Sequence, residues 1–146
     1  MEIEIRLPKT EDEWEDYYDL RYRVLREPLN QPRGSEKNEG DEDGIHFALY
    51  EDKVLKAIAR LDEVDMDVCQ TRFVAVELGE QRKGFGKLIM CAVEREAFEK
   101  DYRKMILHAR DYAVDFYLEL EYTLIEPSYK LFDVMQHFLM EKELED

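Results

Sequence analysis

Phe73-Val-Ala-Val76, then Gly79-Glu-Gln-Arg-Lys-Gly-Phe-Gly-Lys87, then an apolar stripe of Leu88, Ile89, Ala92, Val93 and Ala97 decide how this chain folds. The first stretch has the β-branched character of a buried strand, and the stripe recurs at helical steps to about Lys100. Between them lies a glycine-bearing loop that opens a helix. The first N–H groups of a helix have no internal partner and the helix dipole stands behind them, so such a loop suits a phosphate or pyrophosphate. Glycines let the main chain approach the anion and take up dihedrals that a side chain forbids. Arg82, Lys83 and Lys87 stand against the single Glu80, a local charge of +2 in a chain whose formal charge is −15, so −17 is spread over the rest.

Two phosphate loops fail the test of spacing. Gly79 and Gly84 are placed as in a Walker A motif, but Phe85-Gly86 occupies the Lys-Ser/Thr positions that such a loop needs for phosphate and magnesium. A dinucleotide fingerprint starting at Gly84-Phe-Gly86 meets Ile89 where its third glycine belongs.

Working outward, Ile3, Ile5 and Leu7 alternate with polar residues as in a half-buried strand, and Pro8 ends it. Thr10 and Glu13 have capping-box spacing before a helix to about Arg26, with Trp14, Tyr17, Tyr18, Arg21, Val24 and Leu25 on one side. Residues 30–44 are polar, acidic and glycine-bearing, and read as a long mobile loop. Strands are expected over 45–50 and 53–61, with Glu51-Asp52 as the turn, and over 70–76 and 105–109. A short helix over 113–120 and strands over 122–126 and 133–140 follow.

The 146 residues suit one domain, and 45% hydrophobic residues suffice for a core. No apolar run approaches the roughly 20 residues of a membrane span. The N-terminus has neither the basic nor the apolar region of a signal peptide. Cys69 and Cys91 make no disulfide framework, and neither they nor the three histidines have metal-ligand spacing. The expectation is a cytoplasmic protein without a metal and without a membrane partner. The acidity disfavours nucleic acid and points to a cationic partner.

The loop Gln81-Arg-Lys-Gly84-Phe-Gly86 resembles the coenzyme A pyrophosphate loop, Gln/Arg-x-x-Gly-x-Gly/Ala, of the GCN5-related N-acetyltransferases, the GNAT superfamily. Asp111-Tyr-Ala-Val-Asp-Phe-Tyr117-Leu-Glu-Leu-Glu-Tyr122 is similar to that superfamily's Asn-x-x-Ala-x-x-Phe-Tyr-x-x-Leu-Gly-Phe, with Asp111 taken for Asn, Glu121 for Gly and Tyr122 for Phe. Arg21-Tyr-Arg-Val-Leu-Arg-Glu-Pro-Leu29, His46 and His137-Phe-Leu-Met140 look like the ElaA/YjcF-like branch. The departures are Leu78 for the usual proline and Glu121 for the usual glycine.

The resemblance implies an α/β GNAT fold: a central mixed, mostly antiparallel sheet, splayed near its middle, with helices on both faces. It implies transfer of an acetyl group from acetyl-CoA to a primary amine, on a small molecule or a peptide, by direct attack in a ternary complex. By the same resemblance, the backbone of Val74, Ala75 and Val76 lies along the cofactor. Gln81, Arg82, Lys83, Gly84, Phe85, Gly86 and Lys87 would hold its pyrophosphate, and Asp111, Phe116 and Tyr117 would complete the cofactor site. Tyr117 matches the tyrosine that protonates the leaving thiolate, a task suited to a hydroxyl that stays neutral at pH 7. The attacking amine must lose a proton, and Glu77 and His108 are the two candidates to take it. The alternative is an acyl-CoA-binding sensor or scaffold that transfers nothing. The aromatic last strands (Tyr129, Phe132, Phe138) would suit a homodimer interface and would equally suit the monomer core.

Overall fold

The computed structural model describes residues 2–145; Met1 and Asp146, the ends of the expected domain, lie outside them. In chain order the elements are β1 (Ile3–Arg6), α1 (Glu11–Leu25), β2 (Ile45–Glu51), β3 (Val54–Glu63), β4 (Val68–Val76), α2 (Phe85–Glu99), β5 (Lys104–Arg110), α3 (Val114–Glu119), β6 (Thr123–Leu131) and β7 (Met135–Glu143). The strands form one sheet in the order β1-β2-β3-β4-β5-β7-β6. Every neighbouring pair is antiparallel except β4–β5. No described helix is long and apolar enough to cross a membrane.

Helices cover both faces, as expected. α1 buries Tyr17, Leu20 and Leu25 against Ala48, Tyr50, Ile58 and Ala75. On the other face α2 buries Phe85, Ile89, Met90, Val93 and Ala97 among Leu49, Ala59 and Leu107, and Tyr117 of α3 joins them. Each large apolar side chain so buried contributes about 1.5–3 kcal/mol.

The start of α1 uses half of a capping box. Thr10 Oγ1 accepts from the Glu13 N–H at 3.1 Å, but the Glu13 carboxylate accepts from the Lys9 N–H at 2.8 Å and from the Arg6 guanidinium. The return bond has slipped one residue back, because Arg6 on β1 pulls the carboxylate that way. The β2–β3 turn lies one residue beyond the expected pair: Asp52 and Lys53 both have positive φ (50° and 71°), as a tight hairpin turn requires. β6 runs on to Leu131 rather than stopping at Glu126, because a register shift around Pro127 accommodates the missing N–H.

The expectation of a long mobile loop over 30–44 is corrected by two buried arginines. Arg21 and Arg60, both 0% exposed, converge on Asp41 Oδ1 at 2.9 and 2.7 Å. Arg60 also binds Asn38 Oδ1 at 2.7 Å and both oxygens of Asp62. Asn38 caps a single turn over Glu39–Asp41, and Asp41 returns the bond. A Cβ on Gly40 would lie 2.7 Å from Arg60 Nη2, so a larger residue there would have to displace the guanidinium. His46, buried, closes the arrangement: its Nε2 donates to the Asp41 carbonyl (2.8 Å) and its Nδ1 bonds the Tyr17 hydroxyl (2.7 Å). The matched branch position is therefore structural.

Candidate active site: a split in the sheet

β4 and β5 are paired only at Val68–Lys104, Cys69–Met105 and Gln70–Ile106. Beyond Gln70 they diverge, and β5 continues paired to β7 alone. β3 holds the other edge of β4, with Ala75 opposite Ile58 and Val76 opposite Ala57. The Glu77 N–H donates to the Lys56 carbonyl on that side at 2.8 Å. Backbone groups alternate in direction along a strand, so the N–H and C=O of Val74 and Val76 point at the open edge, and those of Ala75 at β3. Of the three expected backbone contributors, two face the split.

A bulge sets that phase. Between the pairs Ile58–Ala75 and Arg60–Arg72, β4 carries one residue more than β3, and Phe73 stands there at φ 56°. Thr71 packs on the α2 side, with Oγ1 3.0 Å from the Met105 sulfur, and Val74 and Val76 pack against that core too. Phe73 packs on the α1 side, and Arg72 lies 5.0 Å over its ring. Consecutive residues 72 and 73 thus share the α1 face.

The loop after β4 fulfils the requirements of an anion cradle. Gly84, the N-cap of α2, has φ 90° and Gly79 has φ 82°, and nothing lies within 4 Å of a Cβ on either. Gln81 braces the loop instead of facing out: its amide donates to the Val76 carbonyl (3.0 Å) and accepts from the Gly79 N–H (3.2 Å). Among the described residues, the N–H groups of Arg82 to Lys87 donate to no protein acceptor. Glu80 is shared by Lys83 (2.7 Å) and Lys56 (2.9 Å), so Lys56 joins Arg82, Lys83 and Lys87 as a fourth cation beside one acid. These groups fit a pyrophosphate.

α3 closes on this loop. A Cβ on Gly86 would stand 3.0 Å from Phe116 Cζ and 3.7 Å from Val76 Cγ2, so the second motif's phenylalanine, the loop and the open strand meet at one point. Tyr117 is buried, edge-on to Phe116 at 4.9 Å and to Tyr122 at 5.7 Å. Burial holds its hydroxyl protonated far above neutral pH. α3 ends in a Schellman turn: the Tyr122 N–H donates to the Tyr117 carbonyl and the Glu121 N–H to the Leu118 carbonyl, with Glu121 at φ 72°. That explains the family's glycine there; glutamate keeps the same turn under strain. Asp111, exposed, begins the turn before α3. The spacing Asn-x-x-Ala, counted back from Ala113, lands on Arg110 and not on Asp111.

The two candidate bases differ. Glu77 is held in a fork by Arg23, at 2.7 and 3.0 Å, and also accepts the Leu78 N–H. Arg23 therefore keeps its carboxyl below the usual carboxylate range. His108 alternates with Leu107 and Ala109 of the α2-side core, so it stands on the α1 face, its Nδ1 2.9 Å from Ser128 Oγ. Burial, then the Arg72 charge, push its pKa down, and it is neutral at pH 7. Tyr117 packs in the α2-side core and His108 stands on the α1 face, so the two lie on opposite sides of the sheet.

The α1 face beside His108 holds residues that sequence reasoning missed. Arg26, Arg72, Arg110, Phe73 and the tip of the β6–β7 hairpin gather there from the end of α1, β4, β5 and the hairpin. The only forward signal was Arg110, beside the second motif.

The chain matches the family model described as acetyltransferase (GNAT) domain over residues 16–144. Among solved structures it is similar to a protein of N-acetyltransferase type from Lactobacillus plantarum, with 21% identity, TM-score 0.85 and 98% and 99% of the two chains covered. An aminoglycoside 6'-N-acetyltransferase complexed with coenzyme A aligns with 13% identity, TM-score 0.81 and coverage of 100% and 98%. Escherichia coli ElaA aligns with 18% identity, TM-score 0.78 and coverage of 97% and 99%. The split between β4 and β5, the N–H cradle at its end and a family model spanning nearly all of the sequence agree, and the chain belongs to the GNAT acetyltransferases.

Proposed function

We propose that the chain transfers the acetyl group of acetyl-CoA to a primary amine by direct attack in a ternary complex. The observation that supports this most is the open edge of β4 running into the unpartnered N–H groups of Arg82 to Lys87. The cofactor supplies an activated acetyl thioester. In this reading the loop holds its pyrophosphate, with Arg82, Lys83 and Lys87 adding charge. The Val74 and Val76 backbones hold its extended arm, and an N–H of that edge donates to the carbonyl oxygen as negative charge develops. Phe116 and Gly86 close the site between loop and strand.

Tyr117 gives its proton to the departing thiolate, which suits a phenol kept neutral by burial. His108 takes the proton of the attacking amine. We assign it that role ahead of Glu77, since a carboxylate already forked to Arg23 is a weak proton acceptor at neutral pH. Glu77 then acts by tying α1 to the end of β4.

The test is release of free coenzyme A thiol from acetyl-CoA across a panel of primary amines, with Tyr117→Phe as control. Acetylated amine, and a fall in kcat of about 100-fold in the control with little change in the KM for acetyl-CoA, are expected. Tight coenzyme A binding with no amine turned over would favour a binding domain instead.

A further inference from the structure

We infer that the acceptor is an amine that also carries an anionic group, a carboxylate or a phosphate, held by Arg26, Arg72 and Arg110; the inference rests on the transfer reading above. These three side chains come together on the α1 side of the split. Arg26, at the end of α1, lies 5.7 Å over the Phe73 ring and 5.5 Å over Phe132 of the hairpin tip. Arg72, in the bulge, lies 5.0 Å over the same Phe73 ring. Arg110, at the end of β5, donates to the Leu25 carbonyl at 2.7 Å, beside Arg26. Arg26 and Arg110 are each 9% exposed.

Buried cations in folded proteins are paired, because an unpaired one forfeits its hydration with nothing in return. Phe73 offers an internal control. Arg21 and Arg60 stack on that ring as well, at 4.2 and 4.9 Å, and both are matched by Asp41, Arg60 by Asp62 in addition. Arg26 reaches only the Ser35 and Leu25 carbonyls, and Arg72 has no hydrogen bond or ion pair among the described residues. No carboxylate among the described residues lies within ion-pair distance of Arg26, Arg72 or Arg110, in a chain with 36 acidic residues. Glu36, the one buried acid nearby in sequence, gives its carboxylate to the Gly34 N–H.

His137 adds to the same face. It is buried, stacked on Tyr129 at 4.4 Å, and its Nδ1 donates to the Met135 carbonyl. Burial, and beyond it the neighbouring Arg110 and Arg26 charges, push its pKa down. The three arginines make the cleft basic on the side where His108 stands, although the protein as a whole is strongly acidic. That favours an anionic group over the cationic acceptor suggested by net charge, because a distant surface charge is screened within about 8 Å at physiological salt.

Geometry limits the size of the acceptor. Arg72 is two residues before Val74 on β4, and the bulge at Phe73 brings the two closer than the about 7 Å of a regular strand. An amine at the open edge and an anion at Arg72 are thus separated by a spacer of a few bonds. Guanidinium forks bind carboxylate and phosphate alike.

The experiment compares 4-aminobutyrate, 3-aminopropyl phosphate, butylamine and 1,4-diaminobutane as acceptors. One or both anionic amines should exceed butylamine in kcat/KM by about tenfold or more, and the better one names the anion. Arg72→Ala, which breaks no hydrogen bond or ion pair among the described residues, should remove most of that preference, and Arg72→Glu should turn it towards the diamine. The diamine or butylamine proving best in the native protein would overturn the inference. If no amine is acetylated, the transfer reading fails separately, and binding decides. Arginine side-chain N–H signals of the coenzyme A-saturated protein should shift with millimolar 4-aminobutyrate or 3-aminopropyl phosphate and not with butylamine. Absence of any such shift would overturn the anion site.

Discussion

Replacing Glu121 by glycine should make the protein more stable, although it removes a side chain and adds no contact. Glu121 is exposed and occupies the left-handed position of the Schellman turn that ends α3, at φ 72°. A residue with a Cβ loses about 1–2 kcal/mol there. Glycine loses about 0.5–1 kcal/mol through its greater freedom when unfolded. The difference leaves a net gain of about 0.5–1 kcal/mol. Neither turn bond involves the Glu121 side chain, so the bonds to the Tyr117 and Leu118 carbonyls persist. For a chain of this length the gain corresponds to about 1–4 °C in Tm. Urea denaturation of native, Glu121→Gly and Glu121→Ala proteins provides the assay. Both variants lose the same negative charge, but only glycine relieves the dihedral. A Glu121→Ala protein as stable as Glu121→Gly would refute the reasoning. Asp101 offers a repeat: it sits at φ 72° after α2, with the Tyr102 N–H on the Ala97 carbonyl and its own on that of Phe98. Because aspartate tolerates this region better than glutamate, Asp101→Gly should gain less.

Gly84→Ala, by contrast, places a Cβ at φ 90° in open space, so it should strain the loop and weaken coenzyme A binding about tenfold by calorimetry. Glu77→Gln should cost about 1 kcal/mol at neutral pH, with kcat within about threefold of native. Because Arg23 depresses the folded pKa of Glu77, its contribution is present above the ordinary carboxylate range and lost as pH falls through the lower folded value; the variant's deficit should vanish in acid. The acid limb of the rate profile should lie below the usual histidine pKa of about 6.5, falling as His108 protonates, and His108→Gln should abolish it. Asp41→Asn leaves Arg21 and Arg60 short of a charge partner in the interior, and should cost about 3–5 kcal/mol in urea denaturation.

The strand–loop–helix unit was legible because local physics decides it: β-branched residues, two glycines and an apolar stripe lie within one short stretch of chain. The positions of Gln81 to Lys87, Phe116 and Tyr117 followed from the same stretch and from the second motif. What Gln81 does there, bracing the loop on Val76, was not legible, since it depends on the turn's shape. The 30–44 segment misled for a related reason. Its polarity is real, but Asn38 and Asp41 are held by Arg21 and Arg60, which come from α1 and β3. Composition cannot show a partner that is remote in sequence. The arginine cluster is the extreme case: Arg26, Arg72 and Arg110 are scattered through an acidic chain, and averaging charge over the sequence hides a basic cleft. Register in β4 was also out of reach, because Arg-Phe at 72–73 carries no turn residue to announce a bulge.

That bulge ties two properties together that most proteins can vary separately. Odd and even positions of β4 exchange sides at Phe73, so upstream residues obey one parity and Val74 to Val76 the other. Removing one residue there would not trim a kink. It would turn Thr71 towards the arginines and Arg72 into the core, or else turn the Val74 and Val76 backbones onto β3 and leave Ala75 at the opening. Neither outcome keeps both a sealed interior and a usable edge. The length of this strand is therefore fixed to the residue, whereas the Arg72 side chain, which makes no hydrogen bond or ion pair among the described residues, is free to change, and in the proposed reading the acceptor changes with it.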